Sequence, residues 1–419
     1  MMFRRSVLLI AEKLKPILLK LLPRPFLQKM KRNMLASMFA KLSEYQVLPY
    51  NKDCFAEGIN LIGNIKADTG LGQSCRLVAN LIKEARIPFS IYLYASDVAV
   101  MTQTTKWEEY ISKDLSYGIN LVHLNPNELG MAFVNLDKSV WEHHYNIAFW
   151  LWELEEFPEE WVPCINLFHE IWTPSEFISK AIRKKTSIPV KTLPYYVTVQ
   201  SEEQWNRSYF GLPEDKFIYL TMYDSGSVAE RKNPMGVIEA YKKAFSTENP
   251  LIGLAIKMKS TSIEEERKVK KALLGYKNIY FIQNTLTKGQ VDSLIKNVDV
   301  LVSLHRAEGF GLPIAEAMLL GTAVVATNWS ANTEFMNEQV ACMVGYCMKK
   351  LEYDIGPYKK GQCWADPDLE QAAEYMKRLY EDKDFYIERT ELGKQYVQNK
   401  LGKVPLINLL YEHLKELRE

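Results

Sequence analysis

The residues with the clearest chemical content lie in one run, VDVLVSLHRAEGFGLPIAEAMLLGTAVVATN, residues 298–328. An apolar stretch typical of a buried strand ends at His305, and a turn containing Gly309 and Gly311 leads to Pro313. Proline is favourable at the first position of a helix, and glycine lets the backbone approach a ligand closely. The amides of a first helical turn bind anions because they lie at the positive end of the helix dipole. This run therefore predicts a phosphate-binding turn.

Charged residues flank this turn in a pattern that fits a sugar phosphate. Glu308 precedes the helix and Glu316 lies about one turn inside it. Carboxylates accept hydrogen bonds from sugar hydroxyls, so two of them beside a phosphate-binding turn fit a nucleotide sugar. Arg231 and Lys232 come just before a second predicted helix start. Cations placed there can neutralise a diphosphate leaving group as a glycosidic bond breaks.

The elements that must position these residues alternate between strand and helix. Apolar runs separated by helical stretches extend from residue 58 to 197, and a second series of this kind extends from 217 to 327. This alternation predicts parallel sheets with crossover helices and ligands at the carboxyl ends of the strands. We predict an α/β protein with two doubly wound, Rossmann-like domains that face a cleft. The predicted parts are an N-terminal segment (1–50), a first, acceptor-side domain (51–200), a second, nucleotide-sugar-binding domain (201–400), and a final helix (402–419) that packs back on the first domain.

Composition excludes several classes of protein. A chain of 419 residues exceeds the size at which one core keeps growing, which agrees with two domains. The net charge of +1 argues against a general nucleic-acid binder. The six cysteines form no CxxC pair, which favours reduced thiols over a disulfide framework or a zinc site. No apolar run reaches the roughly 18 residues of a membrane span, so we expect a cytoplasmic protein.

The first 45 residues are basic and amphipathic. Ten lysines and arginines are opposed there by Glu12 and Glu44, with leucine, phenylalanine and methionine between them at near-helical spacing. Such a helical segment can lie in the headgroup region of an anionic membrane, or it can pack on the protein's own core. The first alternative predicts a peripheral protein on the inner face of the cytoplasmic membrane.

Around the glutamate pair the chain resembles retaining GT-B glycosyltransferases of family 4, the bacterial polysaccharide-type members of glycosyl transferases group 1. Their signature is two glutamates separated by seven residues in a context like EGFGLPIAEAM, which here runs from Glu308 to Glu316. The resemblance covers roughly residues 58–380 and includes ADTGLGQSCRLVANLIKEARIP, NIAFWLWELEEFPEEW, EIWTPSEFISKAI, SANTEFM and GQCWADPD. It implies the GT-B fold and a nucleotide-sugar-dependent transferase.

The resemblance also implies roles for matching residues. Glu308 contacts hydroxyls of the transferred sugar and is catalytic together with Arg231 and Lys232, while Glu316 holds the nucleotide ribose. No metal or cofactor is expected, because the cations and the turn stabilise the diphosphate. The other expected donor-binding residues are Gly70, Gly72, Asn284, Gly309, Phe310, Gly311 and Leu312, the amides of the last three receiving the diphosphate.

Two departures from the family pattern leave roles open. Many members place a histidine against the sugar at the end of a strand in the first domain, but residues 149–153 read FWLWE. Trp152 and Glu153 are therefore the candidates for the sugar and acceptor pocket, with His123 and Asn125 as further acceptor-side candidates. Many members also have an arginine directly after the first strand of the second series. Tyr, Asp and Ser stand at residues 223–225 instead, which leaves open which cation does which task.

The function that the resemblance implies is transfer of a hexose from GDP-mannose or a UDP-sugar to a hydroxyl of a glycan or lipid-linked saccharide, in synthesis of a bacterial surface polysaccharide such as lipopolysaccharide or capsule. An inactive GT-B scaffold that binds a membrane or a protein partner is one alternative. An NAD-dependent dehydrogenase is another, because the segment from Gly70 to Cys75 imitates GxGxxG, although its third glycine position is a cysteine. A third is a metal-dependent transferase that uses Asp366 and Asp368 as metal ligands. We expect these two residues to lie in a loop and to cap a helix instead.

Overall fold

A computed structural model of the chain describes residue 37 and residues 39–94, 105–259 and 262–417. These residues form two six-stranded parallel sheets and one two-stranded antiparallel sheet. The prediction of an α/β protein with two doubly wound domains is confirmed by this architecture. Of the residues described, none forms a helix long and apolar enough to cross a membrane.

The first sheet has the strand order β2-β1-β3-β4-β5-β6. Its strands are β1 (Ala56–Gly63), β2 (Phe89–Leu93), β3 (Tyr117–His123), β4 (Tyr145–Phe149), β5 (Glu170–Thr173) and β6 (Val190–Thr192). The helices between them are α1 (Gly70–Glu84), α2 (Pro126–Asn135) and α3 (Glu176–Arg183), with 3₁₀ segments at Lys52–Cys54, Thr105–Tyr110, Lys138–Val140 and Glu159–Leu167.

The second sheet has the order β12-β11-β10-β7-β8-β9. Its strands are β7 (Phe217–Asp224), β8 (Ile252–Lys259), β9 (Ile279–Ile282), β10 (Val300–Ser303), β11 (Ala323–Thr327) and β12 (Cys342–Val344). A hairpin of β13 (Tyr346–Lys350) and β14 (Cys363–Pro367) follows. The helices are α4 (Ala229–Lys232), α5 (Pro234–Ala244), α6 (Ile263–Ala272), α7 (Lys288–Lys296), α8 (Leu312–Leu320), α9 (Leu369–Glu381), α10 (Lys383–Leu401) and α11 (Lys403–Lys415), with 3₁₀ segments at Ser225–Ser227 and Ala331–Glu334.

Local sequence explains where the elements begin and end. The central strands consist almost entirely of apolar residues because helices cover both faces of each parallel sheet. Helix α1 begins where the Thr69 hydroxyl accepts the N–H of Gly72, and α7 begins with a capping box between Thr287 and Gln290. These capping residues lie in the loops between a strand end and the next helix start. The loops at the carboxyl edges of the sheets are therefore polar.

The final helix contacts the first sheet's domain. The Tyr411 hydroxyl donates to the carbonyl of Ala85 at 2.5 Å, and Lys191 forms an ion pair with Glu416 at 2.8 Å. Lys403 pairs with Glu84 at the end of α1. These contacts agree with a terminal helix that returns to the first domain, while the domain boundaries stay a prediction.

Of the basic N-terminal segment, residues 1–36 and 38 lie outside the described residues. The described end of the segment, residues 39–43, is helical and packs on the first domain. Phe39 and Leu42 are buried in its core, and the Asn166 amide donates to the carbonyls of Leu42 and Ser43, at 3.1 Å each. At this end, the amphipathic segment packs on the protein's own core.

Candidate active site

The turn after β10 has the geometry that the sequence predicts for binding an anion. Gly311 has a φ of +94°, a left-handed conformation that favours glycine, and α8 starts directly after it. His305 stabilises the loop between β10 and α8. Its ring nitrogen Nε2 lies 3.0 Å from the Asn332 side-chain oxygen, and its carbonyl accepts a hydrogen bond from the Thr327 hydroxyl at 2.7 Å. Within the described part of the chain, the N–H groups of residues 310–312 donate to no protein group. These backbone donors are thus available to a ligand.

Glu308 is the centre of a buried ion-pair cluster. Its carboxylate accepts a hydrogen bond from the Lys232 ammonium and lies 3.4 Å from the Arg231 guanidinium. Burial opposes the charge, but Lys232 and then Arg231 outweigh it, so the pKa of Glu308 is lowered to about 2. Glu308 is therefore a carboxylate at any physiological pH, held between two cations.

The two cations are placed differently, which bears on the question left open by the sequence. Arg231 is buried and donates to the carbonyl of Ala307 at 2.8 Å, so its guanidinium also supports the loop that carries Glu308. Lys232 lines a cavity together with Glu308 and Gly311. Of the two, Lys232 has its charge at the open space next to the turn.

The short connection between α4 and α5 fixes both cations. Asn233 adopts a left-handed backbone conformation and caps α5, its side-chain oxygen accepting the N–H of Gly236 at 3.1 Å. Its amide donates to the carbonyl of Leu304 at 2.9 Å, just beyond the end of β10. One side chain therefore joins the end of α4, which carries the cations, to the loop that carries Glu308.

Glu316 is buried on α8 and forms an ion pair with Lys288 at 3.1 Å. Lys288 also pairs with Asp292 one turn along α7. Burial dominates over the effect of Lys288, and with Asp292 nearby the pKa of Glu316 is raised to about 7. The glutamate pair therefore has two different ionisation states near neutral pH, with Glu308 charged and Glu316 titrating.

The first domain contacts the turn that contains Gly309 and Gly311. The Ser175 hydroxyl donates to the carbonyl of Gly309 at 2.8 Å. A side chain at Gly309 would lie 2.6 Å from the carbonyl oxygen of Trp152, so only glycine fits. Trp152 is buried and its indole N–H donates to Glu156, whereas Glu153 accepts a hydrogen bond from the Tyr358 hydroxyl at 3.2 Å. Of these two candidates, Trp152 is engaged in packing and Glu153 is the half-buried one.

His123 and Asn125 are engaged within the first domain. The Nε2 atom of His123 lies 2.7 Å from the Ser74 hydroxyl, and its ring stacks on Phe149. Burial lowers the pKa of His123 to about 4, so its imidazole is neutral. The side-chain oxygen of Asn125 accepts the N–H of Leu151 at 2.9 Å. In the part of the chain that the structure describes, neither side chain is hydrogen-bonded to Glu308, Arg231 or Lys232.

The other predicted donor-binding residues lie at the carboxyl edges of the two sheets. Gly70 and Gly72 start α1, and a side chain at Gly72 would overlap the carbonyl of Ala67. This loop faces the second domain, because Asp68 forms an ion pair with Lys259 at the end of β8, at 2.8 Å. Asn284 lies exposed in the loop after β9.

The acidic tripeptide at 366–368 has a structural role. Asp366 lies on β14, which corrects the prediction of a loop, and its carboxylate is bound by Arg306 at 2.8 Å. Asp368 caps α9, as expected from the sequence, and its side chain accepts hydrogen bonds from the N–H groups of Glu370 and Gln371. Among the residues described, no group of three or more His, Cys, Asp or Glu side chains could hold a metal ion.

Sequence reasoning missed several residues of the site. Lys288 pairs with Glu316, and Tyr358 donates to Glu153. The partners are far apart in the sequence, so no local pattern predicts these contacts. Lys257, on the strand next to β7, did give a signal, because it is a charged residue inside the apolar run LIGLAIKM of β8.

This chain was compared with family models, curated proteins and solved structures. Residues 206–399 match the family model described as Glycosyl transferases group 1. Among curated proteins, no sequence matches the chain. Similar solved structures include Anabaena HepE in complex with UDP-glucose (TM-score 0.63, 13% identity, 86% of this chain and 100% of that one) and a glycosyltransferase from Rickettsia africae (TM-score 0.63, 13% identity, 87% and 100%).

A third similar structure is the sucrose-phosphate synthase of Thermosynechococcus elongatus, with a TM-score of 0.62 and 13% identity over 86% of this chain and 99% of that one. At this level of identity the structural likeness shows the fold, and the family match supports a glycosyltransferase activity. The described chain has the GT-B fold, and its residues 206–399 match the model of the glycosyl transferases group 1 family.

Proposed function

We propose that this chain is a retaining, metal-independent glycosyltransferase of family 4 that moves a hexose from a nucleotide diphospho-sugar to a hydroxyl of a glycan or lipid-linked saccharide. The observation that carries the proposal is the Glu308 carboxylate held by Lys232 and Arg231 beside the unpaired amides of residues 310–312. A diphosphate fits the amides and the cations, and a sugar hydroxyl fits the carboxylate.

In the proposed reaction the bond between the sugar and the diphosphate breaks first. Negative charge then develops on the leaving oxygen, where Lys232, Arg231 and the N-terminus of α8 stabilise it. Glu308 accepts hydrogen bonds from the sugar hydroxyls and stabilises positive charge on the ring. The acceptor hydroxyl attacks from the face that the diphosphate leaves, and the diphosphate takes its proton. The configuration at the anomeric carbon is therefore retained.

The donor is proposed to be GDP-mannose or a UDP-sugar, with its ribose on Glu316. HepE, which has a similar fold, is in complex with UDP-glucose, and this supports a UDP-sugar. The test is a thermal-shift screen of GDP-mannose and several UDP-sugars in the presence of EDTA. We expect one donor to raise the melting temperature of the wild type but not of Glu316→Ala. If no donor stabilises the well-folded wild-type protein, the donor site is wrong.

The acceptor belongs, we propose, to bacterial surface polysaccharide synthesis at the inner face of the cytoplasmic membrane. The basic residues 1–45 support this, because each lysine or arginine near an anionic surface contributes about 1 kcal/mol. A chain without residues 1–36 should pellet less with anionic liposomes than the full chain does. Equal pelleting of the two chains would refute the membrane contact.

A further inference from the structure

Lys257 is a buried lysine near the carboxyl end of β8 in the second sheet. It lies on β8 with its side chain 6% exposed, between apolar residues of the same strand. In the parallel register Lys257 is opposite Met222 of β7, so both side chains leave the sheet on the same face. Met222 lines the cavity that Lys232 and Glu308 also line. Lys257 therefore lies beside the candidate donor site.

Lys257 differs from the cations near Glu308 and Glu316 in having, among the described residues, no carboxylate within ion-pair distance. Its ammonium group makes one hydrogen bond, to the carbonyl of Met258 at 3.3 Å, and among the described residues it forms no ion pair. The other cleft cations are all paired: Arg231 and Lys232 with Glu308, Lys288 with Glu316, and Lys259 with Asp68.

A buried ammonium with no carboxylate in direct contact is unfavourable, and lysines are almost never buried unless they are paired. Burial, followed by the charge of Lys259, lowers the pKa of Lys257, and the charges of Asp224 and Asp68 oppose this to a smaller extent. A lysine that only supported the strand could be replaced by an apolar residue with a gain in stability. An anionic ligand in the cleft would supply the missing partner.

We propose that Lys257 binds the diphosphate of the nucleotide sugar, as a cation additional to Lys232 and Arg231. This inference rests on the proposed function. A lysine ammonium suits this task because it binds phosphate as a point charge from several directions. Lys257 lies on β8 opposite Met222, a residue that lines the cavity, whereas Lys232 lines the cavity from α4. The diphosphate would then lie between two cations on different elements.

The test compares the full-length wild type with Lys257→Met, and with Lys242→Met as a control that removes an exposed charge. Binding of UDP and GDP is measured by calorimetry. Binding of uridine and guanosine is measured by their competition with UDP and GDP. We expect Lys257→Met to weaken the diphosphates about tenfold to hundredfold and to leave the nucleosides within about twofold. Lys242→Met should bind both classes as the wild type does.

A second readout is the melting temperature of the protein without nucleotide, which we expect Lys257→Met to leave unchanged or raise. If this variant does not fold, Lys257→Gln replaces it with the same expected loss of diphosphate binding. Diphosphate binding equal to that of the wild type would overturn the inference and leave the proposed function intact. Equal weakening of nucleosides and diphosphates would also overturn it. A wild type that binds neither UDP nor GDP would overturn both the inference and the proposed function.

Discussion

At the residue scale, the two glutamates of the EGFGLPIAE motif have opposite environments. Glu308 lies between Lys232 and Arg231 and stays ionised, whereas Glu316 is buried against Lys288 and has a pKa near neutrality. A carboxylate that contacts a sugar carrying positive charge must be ionised, which Glu308 satisfies. Glu316 is suited to a different task, because its charge responds to what binds next to it.

The raised pKa of Glu316 predicts a pH dependence of donor binding. Below pH 7 the carboxyl is protonated and offers the ribose a poorer acceptor, so affinity for GDP-mannose or UDP-glucose should tighten about threefold to tenfold as pH rises through 7. The folded-state pKa lies above the ordinary 4.5, so stability from this carboxyl is greatest in acid and is lost as pH rises through 7.

Calorimetry from pH 5.5 to 8.5 measures this dependence, with intact nucleotide sugars as ligands. Glu316→Gln cannot titrate and should give a flat profile, whereas Glu338→Gln, an exposed change in the same domain, should keep the slope of the wild type. An unchanged slope in Glu316→Gln would show that another group titrates.

At the scale of elements, the start of α8 determines the site. Gly311 needs a positive φ, and alanine there would cost about 1–2 kcal/mol of stability. Gly321, at the other end of the helix, has a φ of +80° and open surroundings, so it is a matched control. Both alanine variants should lose stability in urea unfolding, Gly311→Ala somewhat more because its Cβ would lie 3.3 Å from the Ile314 side chain, but only Gly311→Ala should also lose donor affinity. Equal donor affinity in the two variants would refute the role of this turn.

Elements were predictable from sequence where one local signal fixes them. The apolar runs placed β7, β10 and β11, and Gly311 with Pro313 placed the start of α8. The hairpin β13–β14 was missed because the exposed residues of β13 lack an apolar pattern. The contacts of Lys288 and Tyr358 depend on how distant segments pack, so no spacing in the sequence could indicate them.

At the scale of the whole molecule, the two domains meet at the turn that contains Gly309 and Gly311. Glu334, in the second domain, accepts the N–H groups of Glu176 and Phe177 at 2.9 and 2.8 Å and so caps α3 of the first domain. Ser175, the residue before that helix, donates to Gly309 in the turn itself. The position of the first domain is thereby coupled to the loop that carries Glu308.

Removing the cap should loosen this arrangement. Glu334→Ala leaves the first amides of α3 without an acceptor, which should cost about 1 kcal/mol and raise the radius of gyration in X-ray scattering without donor. The exposed neighbour Glu338 provides the control, since Glu338→Ala should scatter as the wild type does. Identical curves for all three proteins would show that the cap does not hold the domains together.

The central claim is that the cluster of Glu308, Lys232 and Arg231 cleaves a nucleotide sugar without a metal ion. The most direct measurement is release of nucleoside diphosphate from the donor in EDTA, by wild type, Lys232→Met and Lys243→Met. Lys243 pairs with Glu370 on the surface and serves as the control. We expect turnover by the wild type and Lys243→Met, and a loss of about 10²–10³-fold in folded Lys232→Met. Wild-type turnover in Lys232→Met, or turnover abolished by EDTA, would contradict the account.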